Sequence, residues 1–280
     1  MDAKDLDSGQ RPTWCPGCGN FMLAGAIRQA ISELKIPPEK VVVASGIGCG
    51  CKLPHFIRAY GFEGLHGRVL PVATGVKLAN QELTVIGVAG DGDAYGIGGN
   101  HFVHTCRKNP DITYIVQNNS VYALTKGQYS PTSPKGFVSS TSPDGSIEPP
   151  VNPLAWAITT GATYVARAWY QDAEQLKKLI MDGISHHGFS LIDVLMPCLT
   201  YNKAYGPEWY KQRVYRLYGH EPSDKAKAME KALEEGKLPT GLFYREKREA
   251  YGDEIPRLDG PLYRQDVSNI DIAPALKSMR

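Results

Sequence analysis

The chain has 280 residues, 42% of them hydrophobic, 21% charged and 9% aromatic, a mixture usual for a globular protein that excludes disorder and collagen. With 31 basic and 29 acidic side chains the net charge is +2, too balanced for the electrostatic footprint of a nucleic-acid binder. No run reaches the ~18 apolar residues of a membrane span and the acidic, polar start is unlike a targeting peptide, so a cytoplasmic protein with neither nucleic-acid nor membrane partners is expected.

Asn20 is placed to cap a helix running to about Leu34, with Phe21, Ala24, Ile27, Ile31 and Leu34 on one face and Pro37-Pro38 ending it. Val41 to Ala44 is a short apolar run of the kind buried on both faces of a parallel sheet. Leu83 to Ala89 and Ile112 to Gln117 repeat that pattern around a helix from about Gly98 to Arg107, which makes a βαβ unit. Between Ser120 and Pro150 lies a loop with five prolines, longer than a mere connector, and such loops are commonly functional. Asp172 is expected to cap a helix to about His186, with Gln175 completing a capping box, and a strand follows at Ser190 to Leu195. Residues 1–200 therefore read as one α/β body, a mostly parallel sheet with helices on both faces. Residues 201–280 read as an extended C-terminal arm whose helical stretches, near Pro207 to Tyr218 and Ser223 to Glu235, are too short to build a core. Eight of the 15 tyrosines fall between Tyr201 and Tyr263, either to anchor the arm on a partner chain or to pack on the body.

The strand ending at Ala89 runs into Gly90-Asp91-Gly92-Asp93, with Gly96, Gly98 and Gly99 opening the next helix. Glycines let backbone approach a ligand, and a helix N-terminus offers free amides to a diphosphate. A carboxylate there is repelled by phosphate unless a divalent cation lies between, so Asp91 reads as a hard oxygen ligand. At the end of the following strand stand Asn118 and Asn119, at the carboxyl edge where parallel sheets bind ligands. This GDG with a paired asparagine one strand later resembles the signature of thiamine-diphosphate enzymes. The resemblance implies Mg²⁺ held by Asp91, Asn119 and the Val121 carbonyl.

Cys15 and Cys18 form a CxxC in a glycine-proline turn before a helix, a pattern shared by redox dithiols, zinc sites and iron–sulfur sites. Cys49 and Cys51 follow the first strand, and Cys198 follows the last, all toward the same sheet edge. WCPGCGN, SGIGC, HGRVLPVATGVKLAN and GDGDAYGIGGNH, with the NN region, are together similar to the β subunit of 2-oxoacid:ferredoxin oxidoreductases over most of the chain. The resemblance implies a thiamine-diphosphate-binding fold and one [4Fe-4S] cluster on Cys15, Cys18, Cys49 and Cys198. Cys51 is then a nearby non-ligand, and Cys106 a small buried hydrophobe. Structural zinc is the alternative for the CxxC, but zinc carries no electrons. The matching positions expected to line the thiamine site are Ile47, Gly48, Cys49, Gly50, His66, Gly92, Asp93, Ala123 and Leu124. His101, His104, His186 and His187 lack such context and are read as structural.

The activity implied is CoA-dependent oxidative decarboxylation of a 2-oxoacid to acyl-CoA and CO₂, or its reverse, with electrons passing through the cluster to ferredoxin. Lys52, beside the cluster loop, is a cation where a second substrate carboxylate would be met. VYALTKGQYSPTS is similar to members acting on 2-oxoglutarate, whereas pyruvate enzymes tend to carry Asn where Leu124 stands. 2-Oxoglutarate is therefore preferred over pyruvate or broad specificity. An α subunit is expected, in an αβ or (αβ)₂ complex, because no second α/β repeat fits here to bind the aminopyrimidine. The rival readings are a non-oxidative thiamine decarboxylase, which has no use for the cysteines, and a non-enzymatic electron-transfer module.

Overall fold

The computed structural model describes residues 2–256, 260–266, 268 and 270–279. Helix α1 (Asn20–Glu33) leads into β1 (Val41–Ser45), β2 (Tyr60–Glu63) and α2 (Val69–Ala79). Strand β3 (Thr84–Gly90), α3 (Gly99–Lys108) and β4 (Thr113–Asn118) form the expected βαβ unit. After the long loop come α4 (Pro153–Thr160), β5 (Tyr164–Trp169), α5 (Ala173–Ser185) and β6 (Ser190–Leu195). The chain continues through α6 (Pro207–Lys211), β7 (Val214–Arg216), α7 (Lys225–Ala232), β8 (Leu238–Arg245) and α8 (Ala273–Ser278).

The eight strands make one sheet in the order β2-β1-β3-β4-β6-β5-β8-β7, parallel throughout except where β8 runs against β5. Alternate strand residues point to opposite faces, so each face acquires its own helical layer. Val41, Val43, Ile86 and Ile115 meet Ile27 and Ile31 of α1 and Ile180 of α5. Val85, Tyr114, Val116 and Leu191 meet Leu70 of α2, Phe102 of α3 and Leu154 of α4. Burying each large aliphatic side chain stabilises the fold by roughly 1.5–3 kcal/mol, which makes this double-sided burial the main driving force.

The sequence reading differs from the structure in instructive places. Asn20 does not cap α1: Gly19 holds the cap position without a side-chain bond, and Asn20 is the first helical residue, buried, with its Oδ1 unpartnered. Glycine is required there because a Cβ would lie 2.8 Å from the Tyr170 ring. Phe21 is exposed on α1, set edge-to-face against Trp14. Asp172 does cap α5, accepting from the Gln175 amide at 3.2 Å, but the Gln175 Oε1 has no partner, so the reciprocal half of the capping box is missing. Instead Arg216 donates two bonds of 2.6 Å to Asp172.

Several elements escaped the sequence pattern. Arg167 interrupts the apolar run of β5, yet it is buried with its Nε 3.6 Å from Asp193 and its guanidinium over the Phe243 ring. Pro71 and Gly75 obscure α2, and β2 is an exposed edge strand. The expected arm from residue 201 likewise contributes β7 and β8 to the sheet, and Tyr210 and Tyr244 are buried in the body. Burial of these rings stacks Tyr210 on Trp169, 5.4 Å between centroids. No helix among the described residues is long and apolar enough to cross a membrane.

Candidate active site

Four neighbouring central strands, β1, β3, β4 and β6, end at the same sheet edge, and the segments leaving them build one cavity of about 430 Å³. The residues expected from the sequence converge there: Cys15, Cys18, Ile47, Gly48, Cys49, Gly50, Lys52, His66, Asp91, Gly92, Asp93, Asn119, Val121, Ala123, Leu124 and Cys198 all line it. Thr13, Asn20, Gln117, Tyr122, Thr125 and Tyr201 line it as well and were not expected there from the sequence.

Asp91 follows β3 directly and is 1% exposed. Its Oδ1 accepts from the Asn119 amide at 3.3 Å, and its Oδ2 accepts from the hydroxyls of Ser130 and, at 2.6 Å, Thr132. Burial outweighs these bonds and pushes the carboxyl up to about 6. Asn119 bends back so that its Oδ1 accepts from the Val121 amide at 3.1 Å, an Asx turn that aims both residues at the cavity. Between them Ser120 adopts φ 54°, a left-handed conformation that is costly for a residue with a Cβ and clusters at functional sites. Asp91, Asn119 and Val121 line the same cavity, and a carboxylate, an amide oxygen and a main-chain carbonyl are the kind of oxygen donors a hard divalent cation prefers.

Asp93 joins three segments through one oxygen. Its Oδ1 accepts from the amides of Ile47 at 3.0 Å and Gly67 at 2.7 Å and lies 2.7 Å from His66 Nδ1, while its buried Oδ2 has no partner. Desolvation raises its carboxyl above the usual range despite those bonds. Gly92 is required for close approach, since a Cβ would fall 2.1 Å from the Tyr122 ring. The ring's hydroxyl in turn donates to the Gly92 carbonyl at 3.2 Å. Behind Asp93 the chain turns through Gly96 and Gly98 into the N-terminus of α3.

Cys15 and Cys18 sit in a turn closed by a 3.0 Å bond from the Cys18 amide to the Cys15 carbonyl, with Gly17 at φ 78°. Trp14 ties this turn to the β1 loop by donating from Nε1 to the Cys49 carbonyl at 2.7 Å. Main-chain and hydroxyl donors point at three of the sulfurs: the Asn20 amide at Cys18, the Tyr201 amide at Cys198 at 3.4 Å, and Thr200 Oγ1 at Cys15 at 3.6 Å. Desolvation and the neighbouring sulfurs raise the Cys18 and Cys49 thiols. No three of these sulfurs, all among the described residues, come within 4.8 Å of one another. Cys51 does not line the cavity and is fully buried, with its Sγ 3.9 Å from the Val88 carbonyl, and Cys106 is fully buried on the inner face of α3.

Lys52 stands at the cavity wall with Nζ 3.4 Å from the Thr13 hydroxyl, and Leu124 is 45% exposed on the loop after β4. His101 and His104 lie on α3, His186 approaches Thr163 Oγ1 at 2.8 Å, and His187 approaches Asp253 at 2.6 Å, all outside the cavity.

The C-terminal TPP-binding domain of thiamine pyrophosphate enzymes matches residues 41–194, and the C-terminal region of the pyruvate ferredoxin oxidoreductase beta chain matches residues 198–260. The 2-oxoacid:ferredoxin oxidoreductase subunit β of Saccharolobus solfataricus is 49% identical over 247 residues, 82% of this chain and 81% of that one. The 2-oxoglutarate synthase subunit KorB of Methanocaldococcus jannaschii is 38% identical over 253 residues, 88% and 92% of the two chains. The solved structure of 2-oxoglutarate:ferredoxin oxidoreductase from Magnetococcus marinus, with 2-oxoglutarate, coenzyme A and succinyl-CoA bound, superposes with a TM-score of 0.93 at 37% identity, covering 100% of this chain and 96% of that one.

Proposed function

The chain belongs to the β subunits of the 2-oxoacid:ferredoxin oxidoreductases, and on that premise we propose that it catalyses, with an α subunit, the CoA-dependent oxidative decarboxylation of 2-oxoglutarate to succinyl-CoA and CO₂, or the reverse. The observation that carries the proposal is the convergence of Asp91, Asn119 and four cysteines on one cavity at the carboxyl edge of β1, β3, β4 and β6.

When bound, thiamine diphosphate supplies the electron sink for decarboxylation and a [4Fe-4S] cluster accepts electrons singly for delivery to ferredoxin. The residues present fit both groups. Asp91, Asn119 and the Val121 carbonyl would hold Mg²⁺, which screens the diphosphate from the Asp91 charge. The glycine turn before α3 and the Gly92 approach would seat the diphosphate itself. Cys15, Cys18, Cys49 and Cys198 would hold the cluster, with the donors at their sulfurs stabilising negative charge there. His66, whose Nδ1 lies 2.7 Å from Asp93, lines the cavity and would meet the diphosphate there.

Lys52 would meet the second carboxylate of 2-oxoglutarate and so raise affinity for a dicarboxylate over pyruvate. Leu124 would pack on the methylene chain that 2-oxoglutarate has and pyruvate lacks. The relatives and the solved structure named for 2-oxoglutarate support this choice. The deciding experiment is anaerobic. The chain is co-expressed with its α partner, loaded with thiamine diphosphate, Mg²⁺ and coenzyme A, and the visible absorbance followed as 2-oxoglutarate is added. Bleaching with 2-oxoglutarate is expected. Stronger bleaching with pyruvate would overturn the substrate, and none with either, from a sample containing iron, sulfide and thiamine, would overturn the reaction.

A further inference from the structure

The loop after β4 contains Ser130-Pro131-Thr132-Ser133, a tight turn closed by a 3.0 Å bond from the Ser133 amide to the Ser130 carbonyl. Pro131 presets the second position of such a turn. The turn is buried: Ser130 is 3% exposed, Thr132 9% and Ser133 3%. Its first and third side chains both reach Asp91 Oδ2, so one carboxylate oxygen is occupied by two hydroxyls while Oδ1 accepts only the longer 3.3 Å bond from the Asn119 amide. Ser133 completes the clamp by donating to the Ser120 carbonyl at 2.7 Å, which ties the turn to the strained residue between Asn119 and Val121.

Behind the turn runs a chain of buried polar groups. Thr132 Oγ1 lies 2.9 Å from Asn118 Oδ1, and the Asn118 Nδ2 donates to both oxygens of Asp193 at 3.2 and 3.3 Å. Asp193 also accepts from the Tyr95 hydroxyl at 3.0 Å and is paired with Arg167. An ionised carboxylate accepts only, so Asp193 dictates which end of the Asn118 amide turns toward Thr132. That amide oxygen cannot donate to Thr132, and the single Thr132 proton goes to the closer, charged acceptor, Asp91.

We propose that the Ser130–Ser133 turn is the positioning layer of the metal site, with Ser130 and Thr132 holding Asp91 through Oδ2 so that Oδ1 is the oxygen offered to the cation, and Ser133 tying the turn to Ser120. The inference rests on the reading of Asp91 as a Mg²⁺ ligand and assigns a role to a turn that supplies no ligand itself. A ligand held by its neighbours loses less freedom on binding, and removing such neighbours typically weakens metal affinity roughly 10–100-fold.

The test is calorimetric titration of Mg²⁺ into the αβ complex in excess thiamine diphosphate. Thr132→Val keeps the volume and removes the hydroxyl, and should weaken Mg²⁺ binding at least tenfold; Thr132→Ser restores the donor and should stay within threefold of the unmodified protein. Ser130→Ala carries the same expectation as Thr132→Val and replaces it if that variant does not assemble. Asp91→Ala separates the two readings. Loss of Mg²⁺ binding in Asp91→Ala with unweakened binding in both hydroxyl variants would overturn the positioning role alone. Undiminished binding in Asp91→Ala would overturn the metal site and the positioning role with it. Equal weakening by Thr132→Ser and Thr132→Val would also overturn the role, since a packing change without loss of the donor would then be the cause.

Discussion

His66 and Asp93, on separate segments of the chain, meet 2.7 Å apart, and the same Asp93 oxygen accepts from the Ile47 and Gly67 amides. Replacing Asp93 by alanine strips three donors of their acceptor, whereas asparagine can place its carbonyl where Oδ1 stands and its amino group where Oδ2 has no partner. Asp93→Ala is expected to destabilise the chain by about 2–3 kcal/mol and Asp93→Asn by about 1 kcal/mol or less. Thermal unfolding should separate them by several degrees, and equal melting temperatures would contradict the arrangement.

Removing any of Cys15, Cys18, Cys49 or Cys198 should abolish the visible absorbance of the purified αβ complex and its iron content. Cys51→Ala should keep both, because Cys51 is fully buried, does not line the cavity, and its thiol is pushed far above its ordinary range by burial. An intact chromophore in Cys198→Ala, or a lost one in Cys51→Ala with the fold preserved, would reassign the ligand set.

Lys52→Met should raise the KM for 2-oxoglutarate roughly tenfold and leave that for pyruvate little changed, since only the dicarboxylate has a second anionic group to lose a partner. Leu124→Asn should move the ratio of kcat/KM values toward pyruvate by ~10–100-fold. Parallel assays on both substrates decide the matter, and a uniform loss on both would show that neither side chain discriminates.

His186 supplies a pH dependence. Burial lowers its ring to about 4 from the ordinary 6.5, beside Asp111, Arg245, His187 and Glu246. The fold favours the neutral ring, so the unfolded chain takes up a proton first as pH falls. The stabilisation is complete above about pH 6.5 and is lost toward pH 4, by about 1–2 kcal/mol once solvent access to the ring is allowed for. Melting temperatures of the parent and His186→Gln, compared at pH 7.5 and pH 5, should converge at the lower pH. A constant difference would rule out this origin.

Arg264 pairs with Glu82, and beyond it Ile270, Ile272, Leu276 and Met279 are exposed. An apolar tail of this kind suits burial against another subunit. Removing residues 266–280 should change the melting temperature by less than about 2 °C while weakening co-purification of the α chain. A cut at Tyr205, by contrast, would delete β8 and strip β5 of a neighbour. Undiminished association of the shorter truncation would show that the contact lies elsewhere.

The order of amino acids by itself indicated which residues meet at the site. Buried apolar runs marked β1, β3, β4 and β6, and a strand end in a parallel sheet points its following residue to the carboxyl edge. Asp91, Asn119, Cys49 and Cys198, written just after those strands, were therefore expected at one edge, and the structure brings them to one cavity with Cys15 and Cys18. What interrupts a local pattern was not legible: Arg167 concealed β5, Pro71 and Gly75 concealed α2, and β8 looked like part of an arm because its antiparallel partner lies far back in the chain.

Only the tertiary structure decided which distant groups touch. It turned Asn20 from a cap into a buried helix residue on the cavity wall, kept Cys51 off that wall, and brought Thr200 to Cys15 across 185 positions. It also folded Ser130 and Thr132 onto Asp91. Local propensity acts over a turn of helix or a few strand residues, whereas these contacts follow from strand order and from the requirement that buried polar groups find partners, which operate only when the sheet is assembled.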